Sequence, residues 1–181
     1  HSVGYTDRYF VAVLQLGPNL PGTMPATATA TAQRVQGSVR PIADGDFVAD
    51  PRDGAVYRIA GGAPIYVSTW AAFPGTQQLW TLRPGDFDAL PQYPRDGTFI
   101  RDTSTGAVFR IAGGAPLYVS SWAPFGGPQP YMDVDGVAIR RAGDSKAFSH
   151  LAARPAEGTY LRDAKDSAVY QVVGGAPLYV T

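Results

Sequence analysis

The chain has 181 residues, of which 45% are hydrophobic and 17% are charged, and its formal net charge at pH 7 is zero. Nucleic-acid binding depends on a basic field, so this balance argues against a nucleic-acid partner. Cysteine is absent, which excludes a disulfide, a thiolate metal site and a cysteine nucleophile. The 21 glycines and 16 prolines are typical of many turns and short strands rather than of long helices.

The first 43 residues are predicted to form an N-terminal strand followed by a loop segment rich in Pro, Gly and Thr. Tyr9 to Leu16 is the longest apolar run and predicts a buried strand. It is far shorter than the ~18 residues of a membrane span, so no span is expected. Residues 17–25 read as a loop. Ala26 to Ala32 alternates Ala and Thr, which favours a second strand over a flexible linker.

The rest of the chain, residues 44–181, is predicted to be a β domain built from three repeats, 44–70, 96–122 and 157–181. They align without a gap. The aligned sequences are GDFVADPRDGAVYRIAGGAPIYVSTW, GTFIRDTSTGAVFRIAGGAPLYVSSW and GTYLRDAKDSAVYQVVGGAPLYVT.

Each repeat reads as three short strands, which in the second repeat are Phe99 to Asp102, Ala107 to Ile111 and Leu117 to Ser120. A glycine closes the first turn in two repeats, whereas the third has Ser167, so a looser or different turn is expected there. The second turn is Gly-Gly-Ala-Pro in all three repeats. Two glycines permit a tight reversal, and the proline suits an edge strand.

The spacers between the repeats also resemble each other. Phe87 to Leu90 and Phe148 to Leu151 predict single helical turns that place Phe and Leu on the core. Tyr131 to Ile139 leaves room for a fourth strand. We therefore expect an all-β fold of three pseudo-equivalent, three- to four-stranded meanders that pack on one another, because a lone meander is marginal in water. Three units favour a β-trefoil-like closure; a linear tandem row and a propeller-like arrangement stay open.

Nothing in the sequence assembles a catalytic or metal site. The histidines are His1 and His150 only, and neither belongs to a Ser-His-Asp pattern. Asp133 to Gly136 is a fragment of a calcium loop that lacks the distal glutamate, so a plain turn is favoured. Asp residues recur at the end of the first strand of each repeat, where turn capping is expected: Asp50, Asp102 and Asp163. We predict a protein that is not an enzyme, with no catalytic residue, no metal and no cofactor.

The candidate ligand-binding residues are aromatic or basic and sit at equivalent positions of the first two repeats: Trp70 and Trp122, Arg58 and Arg110, Tyr66 and Tyr118. An aromatic ring can pack on the C–H face of a pyranose while Arg takes its hydroxyls. The alternative is that these rings form the core, as large aromatic residues often do. The third repeat has Gln171 in place of the Arg and no Trp, so two related sites are expected rather than three.

The motif from Gly97 to Trp122 resembles a tandem repeat of secreted proteins of high-GC Gram-positive bacteria, where it accompanies hydrolases and other surface proteins. The resemblance covers most of residues 44–181. It implies a secreted or cell-surface, non-catalytic accessory module, and it implies no ligand. From it and the aromatic pattern we expect binding of carbohydrate or a cell-wall polysaccharide, with a catalytic domain of the parent protein as a further partner. The alternative is a structural or protein-interaction module of a larger secreted protein.

Overall fold

The computed structural model describes residues 9–14, 31–35, 41–144, 146–163 and 166–180, the first two ranges by their backbone only. These residues form mostly short strands with two one-turn α-helices and three 3-10 turns, so the all-β prediction is confirmed. The strands are β1 Tyr9–Leu14, β2 Thr31–Val35, β3 Phe47–Ala49, β4 Val56–Ala60, β5 Ala63–Tyr66, β6 Gln77–Thr81, β7 Phe99–Asp102, β8 Val108–Ala112, β9 Ala115–Tyr118, β10 Met132–Val134, β11 Tyr160–Arg162, β12 Val169–Val173 and β13 Ala176–Val180. The helices are α1 Pro84–Asp88 and α2 Gly136–Arg140, and the 3-10 turns are Trp70–Ala72, Ala123–Phe125 and Lys146–Phe148.

The strands are arranged in three sheets, with the orders β2-β1-β6-β3-β4-β5, β10-β7-β8-β9 and β11-β12-β13. Each sheet contains the antiparallel meander of one repeat. Among the described residues no strand pairing joins one sheet to another and no barrel closes. The trefoil-like closure is therefore not confirmed.

The Gly-Gly turn connects the second and third strands of each meander through a two-residue loop. In the second repeat Ala112 pairs with Ala115, and Gly113 and Gly114 have φ values of 54° and 78°. Positive φ at both central residues gives the turn a twist that matches the flanking strands, and glycine adopts it without steric cost. The tight loop moves the start of β9 two residues ahead of the predicted strand. Pro116 lies in β9, an edge strand, as predicted.

The turn before β12 contradicts the expectation drawn from Ser167. Ser167 has a φ of 67°, close to the 74° of Gly54 and the 75° of Gly106 at the equivalent positions. Its amide donates to the carbonyl of Asp163 at 3.0 Å, as the amide of Gly54 does to Asp50 at 2.8 Å. The third repeat therefore keeps this φ value and this hydrogen bond, with a serine in the left-handed conformation at a cost of about 1–3 kcal/mol.

A fourth strand follows two of the meanders and runs parallel to their first strand: β6 pairs with β3, and β10 with β7. The predicted strand from Tyr131 to Ile139 is confirmed only over Met132–Val134. The plain turn expected at Asp133 to Gly136 is wrong, because Asp133 and Val134 belong to β10 and Asp135 caps α2. Its carboxylate accepts from the amide of Val137 at 2.9 Å.

At the N-terminus, β1 confirms the predicted strand over Tyr9–Leu14, and it pairs with both β2 and β6. The predicted Ala-Thr strand overlaps β2 only at its last two residues. The part from residue 26 to residue 30 lies outside the described residues, as do residues 15 and 16.

The core joins the first two repeats. Ala60 and Ile65 of the first repeat share one buried cluster with Ile100 and Ile111 of the second. Val134 of β10, Ala138 of α2 and Leu151 complete this cluster. Packing between these two repeats is thus confirmed. The prediction that helical turns lay Phe and Leu on the core is confirmed in part: Phe87 on α1 and Leu151 after the last 3-10 turn are buried, whereas Leu90 and Phe148 are half-buried, and both helical segments begin earlier than predicted.

Candidate functional site

An arginine held between aromatic rings occupies one face of the first repeat. The guanidinium carbon of Arg58 lies 5.0 Å from the ring centroids of both Phe47 and Phe73. Trp70 packs on Phe47 with ring centroids 5.2 Å apart. Alternation along β4 puts Arg58 on the face opposite Tyr57 and Ile59, which explains why its neighbours are the Phe and Trp of the flanking elements. We call Phe47, Arg58, Trp70 and Phe73 the first aromatic cluster.

The second repeat builds an equivalent set, the second aromatic cluster, from Phe99, Arg110, Trp122 and Phe125. The Arg110 guanidinium carbon lies 6.0 Å from the Phe99 centroid and 5.8 Å from that of Phe125. The ring centroids of Phe99 and Trp122 are 5.3 Å apart. The third repeat has Tyr160 at the position of Phe99 and Gln171 at that of Arg110.

The two clusters differ in how far they are covered. Phe47 and Phe73 are buried, whereas Phe99 and Phe125 are half-buried, and Arg58 is half-buried whereas Arg110 is exposed. Burial lowers the pKa of the Arg58 guanidinium, and the negative charge of Asp133 acts in the opposite direction. Arg58 Nε is buried without a hydrogen-bond acceptor in the described part of the chain. Arg58 therefore behaves as a packed core cation, and Arg110 as an accessible one.

The structure brings the predicted Arg and Trp of each repeat together, but it does not bring the tyrosines to them. Tyr66 pairs across the strands with Tyr57, and Tyr118 with Phe109, at ring separations of 5.7 Å in both cases. Because side chains alternate along β4 and β8, each ring pair lies on the face of its own sheet opposite the arginine of that repeat, Arg58 or Arg110. Trp70, Trp122 and Tyr66 are half-buried, while Tyr118 is 65% exposed.

A groove of about 800 Å³ opens between the meanders of the second and third repeats. Its walls are residues of β8 and β9 and the segment that follows them on one side, and residues of β11 on the other. They include two arginines, a serine and three apolar side chains: Arg110, Ala112, Leu117, Ser120, Leu161 and Arg162. Of the residues predicted to bind a ligand, the exposed ones, Arg110 and Tyr118, both line this groove.

The sequence analysis missed the acid that opens each repeat. Asp44 accepts from the amide of Gly62 at 2.7 Å, and Asp96 from that of Gly113 at 2.8 Å. Glu157 accepts from the amides of Gly174 and Gly175 at 2.9 and 2.6 Å. These carboxylates fix the Gly-Gly turn of their own repeat. Their recurrence directly before the first Gly of each repeat was the available signal.

Two of the three repeated aspartates at the end of the first strand, Asp50 and Asp102, cap turns, as predicted. Asp50 accepts from the amide of Arg52 at 2.9 Å, and Asp102 from that of Ser104 at 2.7 Å. The side-chain hydrogen bond from Arg52 is the main cause that lowers the pKa of Asp50. Among the described residues no group of three acids and histidines is placed to hold a metal ion.

His150, in the spacer before the third repeat, packs against the first repeat and the spacer that follows it. Its Nδ1 lies 2.9 Å from the carbonyl oxygen of Gln92, and its ring meets the edge of Tyr57 with centroids 5.6 Å apart. Burial lowers the pKa of His150, and the hydrogen bond to the Gln92 carbonyl opposes that shift. This environment favours a neutral imidazole in a structural contact.

Comparison with protein-family models, with curated proteins and with solved structures gives no significant match to this chain. No helix in the described ranges is long and apolar enough to span a membrane.

Proposed function

We propose that the chain is a non-catalytic accessory module of a larger secreted or cell-surface protein and that it acts by docking another polypeptide. One observation carries the proposal: the groove between the second and third repeats combines an open strand edge with charged and apolar walls. β11 is the edge of its sheet in the described part of the chain, so it offers unpaired backbone groups to an added strand. Addition of a strand to an open sheet edge is a recurrent mode of peptide recognition.

The proposal includes a linear row of the three repeats. The sheets follow one another in chain order, and each Gly-Gly turn of the first two repeats meets the segment that leads into the next. The amide of Arg95 donates to Gly61 O at 3.0 Å, and that of Ala156 donates to Gly113 O at 3.0 Å. In such a row each interface between neighbouring repeats can accept an added strand by itself, whereas a closed trefoil would leave no free strand edge.

The proposed role is non-catalytic because two recurring aspartates and a packed histidine have structural contacts. Asp50 and Asp102 hold turn amides, and the imidazole of His150 faces a backbone carbonyl. A general acid or base needs access to a substrate proton. The contacts of these groups support structural roles for all three.

Carbohydrate binding is the second candidate, and one observation favours it at the second repeat. Tyr118 is 65% exposed, and Arg110, which is also exposed, lines the same groove. An exposed ring can stack on a sugar, and a guanidinium in the same groove can donate hydrogen bonds to the sugar hydroxyls. At the first repeat the equivalent Tyr66 contacts Phe148 at 5.0 Å and is half-buried, which does not favour a second site.

The test separates the two candidates. The chain is used to select ligands from a library of random extended peptides and, in parallel, is applied to a glycan array. Ser120→Trp blocks an exposed position in the groove wall, and Thr76→Trp is the matched control at an exposed position outside it. Peptides that bind the parent and the control but not Ser120→Trp support the proposed function. Glycan binding that Tyr118→Ala abolishes, without peptide selection, would replace it by the second candidate.

A further inference from the structure

The spacer before the third repeat carries an insertion that the first spacer lacks. Residues 123–157 form a segment nine residues longer than residues 71–96 at the equivalent place. α2 takes the position that α1 has in the first spacer, since each helix begins shortly after the fourth strand of its sheet. The extra residues therefore lie after α2, and they include the 3-10 turn Lys146–Phe148 and the imidazole of His150.

A backbone hydrogen bond closes this insertion at its neck. The amide of Gly143 donates to the carbonyl oxygen of Leu151 at 2.6 Å, and the side chain of Leu151 is buried in the core. Inside the loop, the amide of Ser149 donates to the carbonyl oxygen of Lys146 at 3.0 Å. Compact surface loops whose ends lie close together are frequently functional. We call residues 146–150 the latch.

The latch docks on the ring pair of the first repeat. The ring centroids of Phe148 and Tyr66 are 5.0 Å apart, at an interplanar angle of 74°. The ring of His150 lies 5.6 Å from that of Tyr57 and 6.3 Å from that of Phe87, again edge to face. Contacts of this kind are individually weak, so a small change at one ring is enough to shift the balance between a docked and an open latch.

His150 is the latch residue whose charge changes between pH 5 and pH 8. Its Nδ1 lies 2.9 Å from the carbonyl oxygen of Gln92, so a neutral imidazole carries its proton on that nitrogen and donates it to the carbonyl. A protonated ring would place its charge among the rings of Tyr57 and Phe87. Burial accordingly lowers the pKa of His150, and the bond to the Gln92 carbonyl opposes this shift. The docked latch therefore favours the neutral form.

Most charged groups on the elements around the latch form ion pairs with one another: Arg52 with Asp88, Arg83 with Asp86, and Arg141 with Asp144. Lys146 on the latch is exposed, and Arg58 lies on the face of β4 opposite Tyr57. Burial is the main cause that raises the pKa of Tyr57 to about 12, so this phenol is neutral, and β5 contributes the phenol of Tyr66. Among the described residues, burial and a backbone carbonyl are the causes that act on the pKa of His150, and no charge is one of them.

We propose that the latch is a pH-sensitive switch, which docks on the first repeat at neutral pH and detaches from it in mild acid while the sheets stay folded. Opening returns the imidazole to water and uncovers Tyr57 and Tyr66, and the buried Leu151 keeps the loop anchored. The effect has an upper limit. An imidazole with a pKa of 6.5 in the open state raises the equilibrium constant for opening by at most about 30-fold near pH 5. The switch is independent of the groove and of the proposed function.

Residue-resolved amide hydrogen exchange of the full chain near pH 7.5 and near pH 5, corrected for the intrinsic pH dependence of exchange, tests the switch. Protection of the Ser149 amide is expected to fall by up to about 30-fold in acid. The Ile111 amide in β8 is expected to keep its protection. His150→Gln is expected to remove the pH dependence at Ser149, and His1→Gln, at the other histidine of the chain, is the matched control that should retain it.

Equal protection of Ser149 at both pH values in the parent, or the same acid-induced loss in His150→Gln, would overturn the switch. A parallel loss at Ile111 would indicate unfolding of the sheets and would overturn it as well. An NMR titration of His150 in the parent chain needs no variant. A pKa below the ordinary 6.5 is expected, and a midpoint at or above that value would contradict a neutral imidazole in the docked latch.

Discussion

The docking of the second Gly-Gly turn against the third repeat can be tested by adding a single methyl group. Gly113 has a φ of 54°, and a Cβ on it would lie 2.6 Å from the amide nitrogen of Ala156, 3.2 Å from Pro155 Cα and closer still to Thr159 Oγ1. Gly174 is the equivalent residue of the third repeat. Its φ is 60°, and a Cβ there meets nothing within 4 Å. The two positions thus share backbone conformation and differ in packing.

The magnitudes follow from these geometries. A left-handed alanine costs about 1–2 kcal/mol at either position. Reduced entropy of the unfolded chain returns about 0.4–1 kcal/mol of this. Gly174→Ala is therefore expected to lower the free energy of unfolding by about 1 kcal/mol. At Gly113 the overlap with backbone atoms adds about 1–3 kcal/mol, the usual cost of overpacking, so a loss of about 3 kcal/mol is expected.

Urea unfolding followed by circular dichroism measures both losses, and calorimetry gives the matching change in Tm. At about 2–4 °C per kcal/mol for a chain of this size, Gly113→Ala is expected to lower Tm by about 6–12 °C and Gly174→Ala by about 2–4 °C. Equal losses for the two variants would refute the docking of the second repeat's turn against residues 155–159. Unchanged stability of both would also refute the left-handed conformation.

Three further changes test other parts of the structure. Ser167→Gly is expected to raise the free energy of unfolding by about 1 kcal/mol in urea titrations, because glycine relieves the left-handed strain of serine at φ 67°; a loss of stability would contradict that turn. Since burial lowers the pKa of His150, the unfolded chain binds a proton that the folded chain does not, so stability is expected to fall as pH decreases through the ordinary value of 6.5. His150→Gln should flatten this part of the pH profile, and an unchanged slope would exclude a buried neutral imidazole. Asp133→Asn is expected to cost about 1–2 kcal/mol of stability through its bonds to Arg101, whereas the exposed Asp144→Asn, also paired with an arginine, should cost less than about 0.5 kcal/mol.

The repeated segments made the meanders predictable from sequence. Alternation in Val108 to Ile111 and the invariant Gly-Gly turn placed the second and third strands to within two residues. The fourth strand was harder, because Asp133 to Gly136 reads locally as a turn or as part of a calcium loop. Its extended conformation depends on pairing with β7 and on the bond from Asp133 to Arg101, a residue 32 positions earlier.

The candidate site was predictable only in part for the same reason. The equivalent positions of Arg58 and Arg110, and of Trp70 and Trp122, indicated a shared arrangement, and in each of these two repeats the Arg and the Trp contact the same Phe ring. The different exposure of Arg58 and Arg110 could not be read from the repeats, because both have Arg at this position. The exposure depends on the neighbouring elements. β10 packs against the first repeat, whereas no described strand covers the groove beside Arg110.

The open strand edge of the third repeat can be examined most directly by residue-resolved amide hydrogen exchange of the full chain, with and without an extended peptide selected from the library for binding to the groove. β7 is paired on both sides, so its amides are expected to be protected in both samples. The amides of β11 that point away from β12 are expected to exchange rapidly in the free chain and to become protected when the peptide is saturating. Protection of those amides in the free monomer, or rapid exchange that saturating peptide does not change, would contradict an open edge that accepts a strand.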